Sequence, residues 1–233
     1  IEDNTAPTLT CPVLSPIKTN DHNCYANWRV TPPNPTDCSS MSWDVLFSKD
    51  SIAFIKSDGV TSINTSAPVY LSNISTDTNR YVIANLPLGK TWIKYIVRDT
   101  CGNFRECNTS IIVEDRTPPT AICEDETIVS IDDTGWGVLK ATSLDNHSID
   151  NCTDDLRFEI KRKDKFCAGY PQDTTFRNEV RFCCSDALST VSYHTVVLRV
   201  YDKAGNYNEC ESTVRVQNKR PPAIQCPSNL SVR

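Results

Sequence analysis

The chain has 233 residues, 23% of them charged, and a formal net charge of −5, a length that suits one large domain or two ordinary ones. It carries no run of basic residues longer than the three of Lys161–Lys163, so nothing supports a nucleic-acid partner, which would need a basic face to neutralise phosphates. No stretch approaches the roughly 20 apolar residues of a membrane-spanning helix.

Twelve cysteines stand against one Met and three His. Such a density of thiols persists as disulfides in oxidising compartments, which points to an extracellular or cell-surface location. The competing use of cysteine is metal binding, but there is no Cys-x-x-Cys, and the only close pair, adjacent Cys183 and Cys184, cannot supply zinc-ligand spacing. The opening "IEDNTAPTLTCP" has no signal peptide, so the expectation is a mature protein, or a piece of one, cut from a longer secreted chain.

In chain order, "NTAPTLTCP" (4–12) comes first. In "TWIKYIVRD" (91–99), Ile93, Tyr95 and Val97 alternate with Trp92, Lys94, Ile96 and Arg98; this period of two predicts a strand whose first set is buried. The closing run "YIVRDTCGNFRECNTSIIVED" (95–115) leads straight into "RTPPTAICE" (116–124), a second copy of the opening motif. "HTVVLRVYD" (194–202) alternates in the same way through Val196, Leu198 and Val200, and "LRVYDKAGNYNECESTVRVQN" (198–218) repeats the closing run before a third opening, "KRPPAIQCP" (219–227). Two full units are therefore predicted, 1–115 and 116–218. Residues 219–233 are either the first strand of a third repeat, the favoured reading, or an orphan strand that pairs with a neighbouring subunit.

Strand patterns are separated by turn-forming clusters such as "PPNPTD", "SDGV", "LPLGK", "DDTGWG" and "LDNHSIDN". Helical periodicity is hard to find. The predicted fold class is all-β: tandem immunoglobulin-like antiparallel β-sandwiches of about seven strands each, stapled by disulfides. Asp99, Gly102 and Asn103, and again Asp202, Gly205 and Asn206, are expected to shape the turn between the last two strands. The Asp accepts turn amides, and Gly and Asn take positive φ. The cysteine that follows lies early in the last strand, which runs parallel to the first in such a sandwich. This pairs Cys11 with Cys107 and Cys123 with Cys210.

The first unit resembles the hyalin-repeat (HYR) module through "APTLTCP", "CYANWRVTPPNPTDC", "LPLGKTWIKYIVRD" and "GNFREC". The second resembles a sister type of large bacterial surface and gliding-adhesin proteins, through "TPPTAICEDETIVSIDDTGWGVLKATSLDNHSIDNC" and "VVLRVYDKAGNYNEC". The resemblance implies immunoglobulin-like repeats of long surface proteins, acting as spacers and binding surfaces. It also implies a Cys24–Cys38 bond, which leaves Cys101 odd; the alternative joins Cys38 to Cys101 at one end of the sandwich and leaves Cys24 over. In the second unit a bond between adjacent cysteines is strained. The parity shared by Val180, Phe182 and Cys184 favours Cys184 with Cys152 and Cys183 with Cys167. Cys226 belongs to the third unit and is expected to find its partner outside this chain.

Six Asn-x-Ser/Thr sequons, at Asn64, Asn73, Asn108, Asn146, Asn151 and Asn229, are candidates for glycosylation, with Asn151 the poorest because it abuts Cys152. The acidic clusters around Asp3 and Asp115 are weak candidates for calcium, since no loop reproduces a known calcium-site spacing; no other metal and no cofactor is expected. His22, His147 and His194 are dispersed and no nucleophile motif accompanies them, so the chain is read as non-catalytic. Trp28, Trp43, Trp92 and Trp136 are assigned to cores in preference to a carbohydrate platform.

The resulting expectation is a structural or interaction repeat of an extracellular fibre, appendage or long adhesin. Its partners are copies of itself or adjacent repeats. The alternative is an adhesion module that takes a surface glycan or protein through its end loops.

Overall fold

The computed structural model describes residues 3–48, 69–71, 82–164, 167–188 and 192–219. The fold is all-β, with three short 3-10 helices among the described residues, Ala141–Ser143, Pro171–Thr174 and Cys184–Ala187. Among the described residues no helix is long and apolar enough to cross a membrane. The chain divides into two units, Ile1–Thr117 and Pro118–Arg233.

The first unit contains β1 (Ile17–Lys18), β2 (Tyr25–Arg29), β3 (Met41–Ser48), β4 (Val69–Leu71), β5 (Val82–Pro87), β6 (Gly89–Asp99) and β7 (Phe104–Glu114). One sheet has the order β1-β7-β6-β3-β4 and the other pairs β2 with β5. β1 runs parallel to β7, with Ile17 opposite Val113, while β3, β6 and β7 pair antiparallel. The alternation in β6 buries Ile93, Tyr95 and Val97 completely. These face the second sheet, where Trp28 and Leu86 join Val45, Phe47, Ile111 and Val113 in one core. Two sheets with their apolar faces together, and first strand parallel to last, make an immunoglobulin-like sandwich.

The second unit repeats the plan with β8 (Glu126–Ile131), β9 (Trp136–Lys140), β10 (Arg157–Arg162), β11 (Glu179–Cys183), β12 (Tyr193–Tyr201) and β13 (Tyr207–Asn218). The sheets are β10-β12-β13-β8 and β11-β9, and β8 runs parallel to β13. Val196, Leu198 and Val200 of β12 are fully buried beside Ile160, Val180, Phe182 and Val214. β9 packs close to β8 at Gly137, where a Cβ would lie 2.5 Å from Val129 Cγ1.

This unit has six described strands where about seven were expected. The Asp- and Asn-rich segment after β9 explains the difference, because its side chains bond nearby backbone in place of a ladder. Asp145 Oδ1 accepts the amide of Ser148 at 3.1 Å, and Asp150 Oδ2 accepts those of Cys152 and Thr153 at 2.8 and 3.1 Å. The further strand expected in 219–233 lies, from Arg220 on, outside the described residues.

Candidate functional site

The repeated turn is built identically in the two units. Asp99 Oδ1 accepts the Asn103 amide at 2.8 Å and Oδ2 accepts Asn103 Nδ2 at 2.7 Å; for Asp202 and Asn206 the distances are 2.8 and 2.6 Å. Both aspartates are buried, so the Asn side chain supplies the donor that each carboxylate would otherwise lack. One expectation is corrected. Gly102 and Gly205 alone take positive φ, each at 94°, whereas Asn103 and Asn206 do not. Asn is needed here for its amide. Nothing lies within 4 Å of a Cβ built at Gly205, so Gly205→Ala is expected to cost only the backbone strain, about 1–2 kcal/mol, measured as a shift in the urea unfolding midpoint.

Cys11 joins Cys107, Cys123 joins Cys210 and Cys167 joins Cys183, with Cα atoms 5.7, 6.0 and 6.1 Å apart. Cys24 takes part in a disulfide, and so does Cys152. Cys38, Cys101 and Cys184 carry free thiols.

The Cys24–Cys38 bond implied by the resemblance is therefore not formed. Cys24 precedes β2 and Cys38 follows it, and five residues of strand separate their ends by about 17 Å, beyond the roughly 7 Å reach of a disulfide. The Cys152–Cys184 pairing fails for the same reason: Cys152 lies in the loop leading to the end where β11 begins, while Cys184 follows the end of β11. Cys184 does point inward, against the core. The alternative bond between Cys38 and Cys101 is also absent, and Cys24 is not left over. Cys226 lies outside the described residues.

Met41 opposite Asp99 brings the loops of Cys38 and Cys101 to one end of the first sandwich. There Asp3 ties them together, its carbonyl accepting Asn103 Nδ2 at 2.9 Å and its Oδ2 accepting the Cys38 thiol at 3.4 Å. The Asp3 carboxylate, with help from Asp37, pushes the Cys38 thiol above its ordinary pKa. Alkylation follows the thiolate, so Asp3→Asn is expected to move the pH profile of Cys38 alkylation to lower pH. Peptide mass spectrometry checks this, and an unchanged profile would refute it.

The calcium candidates Asp3 and Asp115 are not brought together. Asp3 sits where β7 begins and Asp115 just past its end, and 11 residues of strand span about 37 Å. They are two separate candidates, and Asp115 Oδ1 accepts the Thr117 amide at 3.1 Å. Of the sequons, Asn108 on β7 and Asn146 are exposed and Asn151 is half-buried. Asn64, Asn73 and Asn229 lie outside the described residues. The tryptophans form no shared platform. Trp28 stacks edge-on with Phe47 and Trp43 packs on Tyr95, whereas Lys90 covers Trp92 and Trp136 meets Tyr170.

Sequence reasoning missed a buried ionic network in the second unit. The Arg162 side chain is fully buried. Its guanidinium donates to both Asp186 oxygens at 3.0 Å, to Asp164 at 3.1 Å and to the Arg181 carbonyl at 2.9 Å, over the Phe182 ring. Burial works against its charge, but Asp186 and Asp164 outweigh that and hold its pKa above the ordinary value. His194 bonds Asp164 and the Asp186 carbonyl. A signal was present: Arg162 shares the parity of Phe158 and Ile160 in β10. His22 and His147 are exposed and stand apart from this network.

A cleft of about 760 Å³ opens at the other end of the second sandwich, where β9 and β12 finish and β10 and β11 begin. Lys140, Thr142, Leu156, Phe158 and Asn178 line it, with the charged residues Asp155, Arg157, Glu179, Asp202 and Lys203 around them. Asp202 is the aspartate of the repeated turn.

No family model matches the chain, and no curated protein matches it. Among solved structures it is similar to Sidekick-1 immunoglobulin domains 1–4, at 10% identity and TM-score 0.41 over 91% of this chain and 49% of that one. It is also similar to the protocadherin gammaB7 EC3–6 cis-dimer structure, at 12% identity and TM-score 0.48 over 92% of this chain and 52% of that one. A third is DIP-gamma IG1+IG2, at 10% identity and TM-score 0.40 over 91% and 98%. The chain thus spans about half the length of the first two.

Proposed function

We propose that the chain is a non-catalytic structural and interaction segment of an extracellular fibre, appendage or long adhesin, made of sandwich domains at 1–115 and 116–218. The observation that carries this reading is the same fastening in both units, a disulfide from the opening segment to the last strand (Cys11–Cys107, Cys123–Cys210) beside a parallel first-to-last strand pair. A parallel pair lets the chain enter a domain at one end and leave at the other, which suits units strung in series. The fastening holds each unit closed under load. The Pro-containing stretches "EDRTPPT" and "QNKRPPA" limit bending where units meet.

Copies of the same chain are the proposed partners, and the exposed thiol of Cys101 offers a covalent link between them. Non-reducing electrophoresis of the full chain tests this. A dimer band that collapses to monomer on reduction is expected, since one thiol per chain joins chains in pairs, and monomer alone with Cys101 still alkylatable would refute self-linkage. A second reading, ligand capture through end loops, is favoured by one observation, the cleft bounded by the loops of the second unit.

A further inference from the structure

The cleft in the second unit can be given a ligand class, and the assignment rests on the second reading above. We propose that it binds a saccharide carrying a single carboxylate, with Lys140 holding that carboxylate.

The charges around the cleft are nearly all engaged within the protein. Arg157 pairs with Glu159, Asp155 lies 3.8 Å from Lys203, and Asp202 is occupied by Asn206. Glu179 stands opposite Lys140 across the β9–β11 pair, but it bonds Arg181 at 2.8 Å instead. Among the described residues Lys140 is the lining cation left with no ion pair, since Arg157 and Lys203 each have one. The Thr142 hydroxyl and the Asn178 amide also have no side-chain hydrogen bond there. An ammonium, a hydroxyl and a carboxamide thus line one cleft with no side-chain partner of their own, beside the apolar walls of Leu156 and Phe158.

This set matches an acidic sugar group by group. The ammonium takes a carboxylate, the amide and hydroxyl take ring hydroxyls, and the apolar walls cover a C–H face of the ring. The volume falls within the roughly 300–1,000 Å³ of small-molecule sites. A polysulfated chain fits poorly, because Asp155, Glu179 and Asp202 line the same cleft and one unpaired ammonium balances one negative charge.

Amide chemical shifts of the isotope-labelled full chain test the assignment against three probes: a glucuronate-containing disaccharide, its neutral glucose counterpart and a heavily sulfated oligosaccharide. The first is expected to move Lys140, Thr142 and Asn178. Lys140→Gln is expected to weaken it by about tenfold or more, whereas Lys140→Arg, which keeps the charge, stays within about threefold. Equal affinity for the neutral disaccharide, or no effect of Lys140→Gln, overturns the carboxylate assignment while leaving ligand capture at this end intact. Preference for the sulfated probe overturns the single-charge argument. No movement of cleft residues with any probe overturns the saccharide site, and shifts confined to the opposite end of the unit would overturn this end as the ligand face.

Discussion

Asp186→Ala is expected to destabilise the second unit by about 3–5 kcal/mol, because it leaves the Arg162 guanidinium buried without its bidentate partner. The loss extends beyond one ion pair. Asp186 also accepts the Cys183 amide at 2.9 Å, so its removal leaves backbone unpaired where β11 ends. Arg162→Leu combined with Asp186→Leu is expected to cost less than Asp186→Ala alone, since it removes the stranded charge together with its partner. Denaturant unfolding of the full chain compares the two. A double variant less stable than the single would show that packing, and not the unpaired charge, decides the outcome.

Removing a disulfide between the opening segment and the last strand is the second large effect. Cys11→Ala with Cys107→Ala opens a loop of 96 residues, for which chain entropy gives about 4–5 kcal/mol. Cys167→Ala with Cys183→Ala opens one of 16, worth about 3 kcal/mol. The long-range pair is thus expected to lower the unfolding midpoint of its own unit more than the short-range pair lowers that of its unit. The reverse order, measured by tryptophan fluorescence, would show that strain or local packing outweighs loop closure.

The strand pattern was legible because burial on one face writes a period of two, as Ile93, Tyr95 and Val97 do in β6 and Val196, Leu198 and Val200 do in β12. The repeated turn was legible because its chemistry is local: one Asp and one Asn four residues apart satisfy each other. Cysteine pairing beyond the first-to-last strand bonds was not legible. It depends on which end of a strand each thiol occupies, and the spacing of Cys24 to Cys38 does not say that the chain runs the length of β2 between them. The role of Arg162 was hidden for a related reason. Its partners Asp164 and Asp186 are 2 and 24 residues away, and the distant one is positioned only after β11 and the Cys184–Ala187 turn have formed. The cleft is likewise a product of four strand ends that the sequence keeps far apart.

The disulfide at Cys123–Cys210 also sets how far the second unit can lengthen. Its sulfurs enclose a separation of 87 residues, roughly 30 nm of extended chain at about 3.4 Å per residue. If the unit is pulled open with the bond intact, that length stays hidden and only the residues outside the loop straighten. Reduction of that bond releases the length under the same pull, apart from the 16 residues that Cys167–Cys183 still encloses. The redox state of one bond would then convert a nearly inextensible link into a long tether, and a force–extension trace would record the change as a longer step.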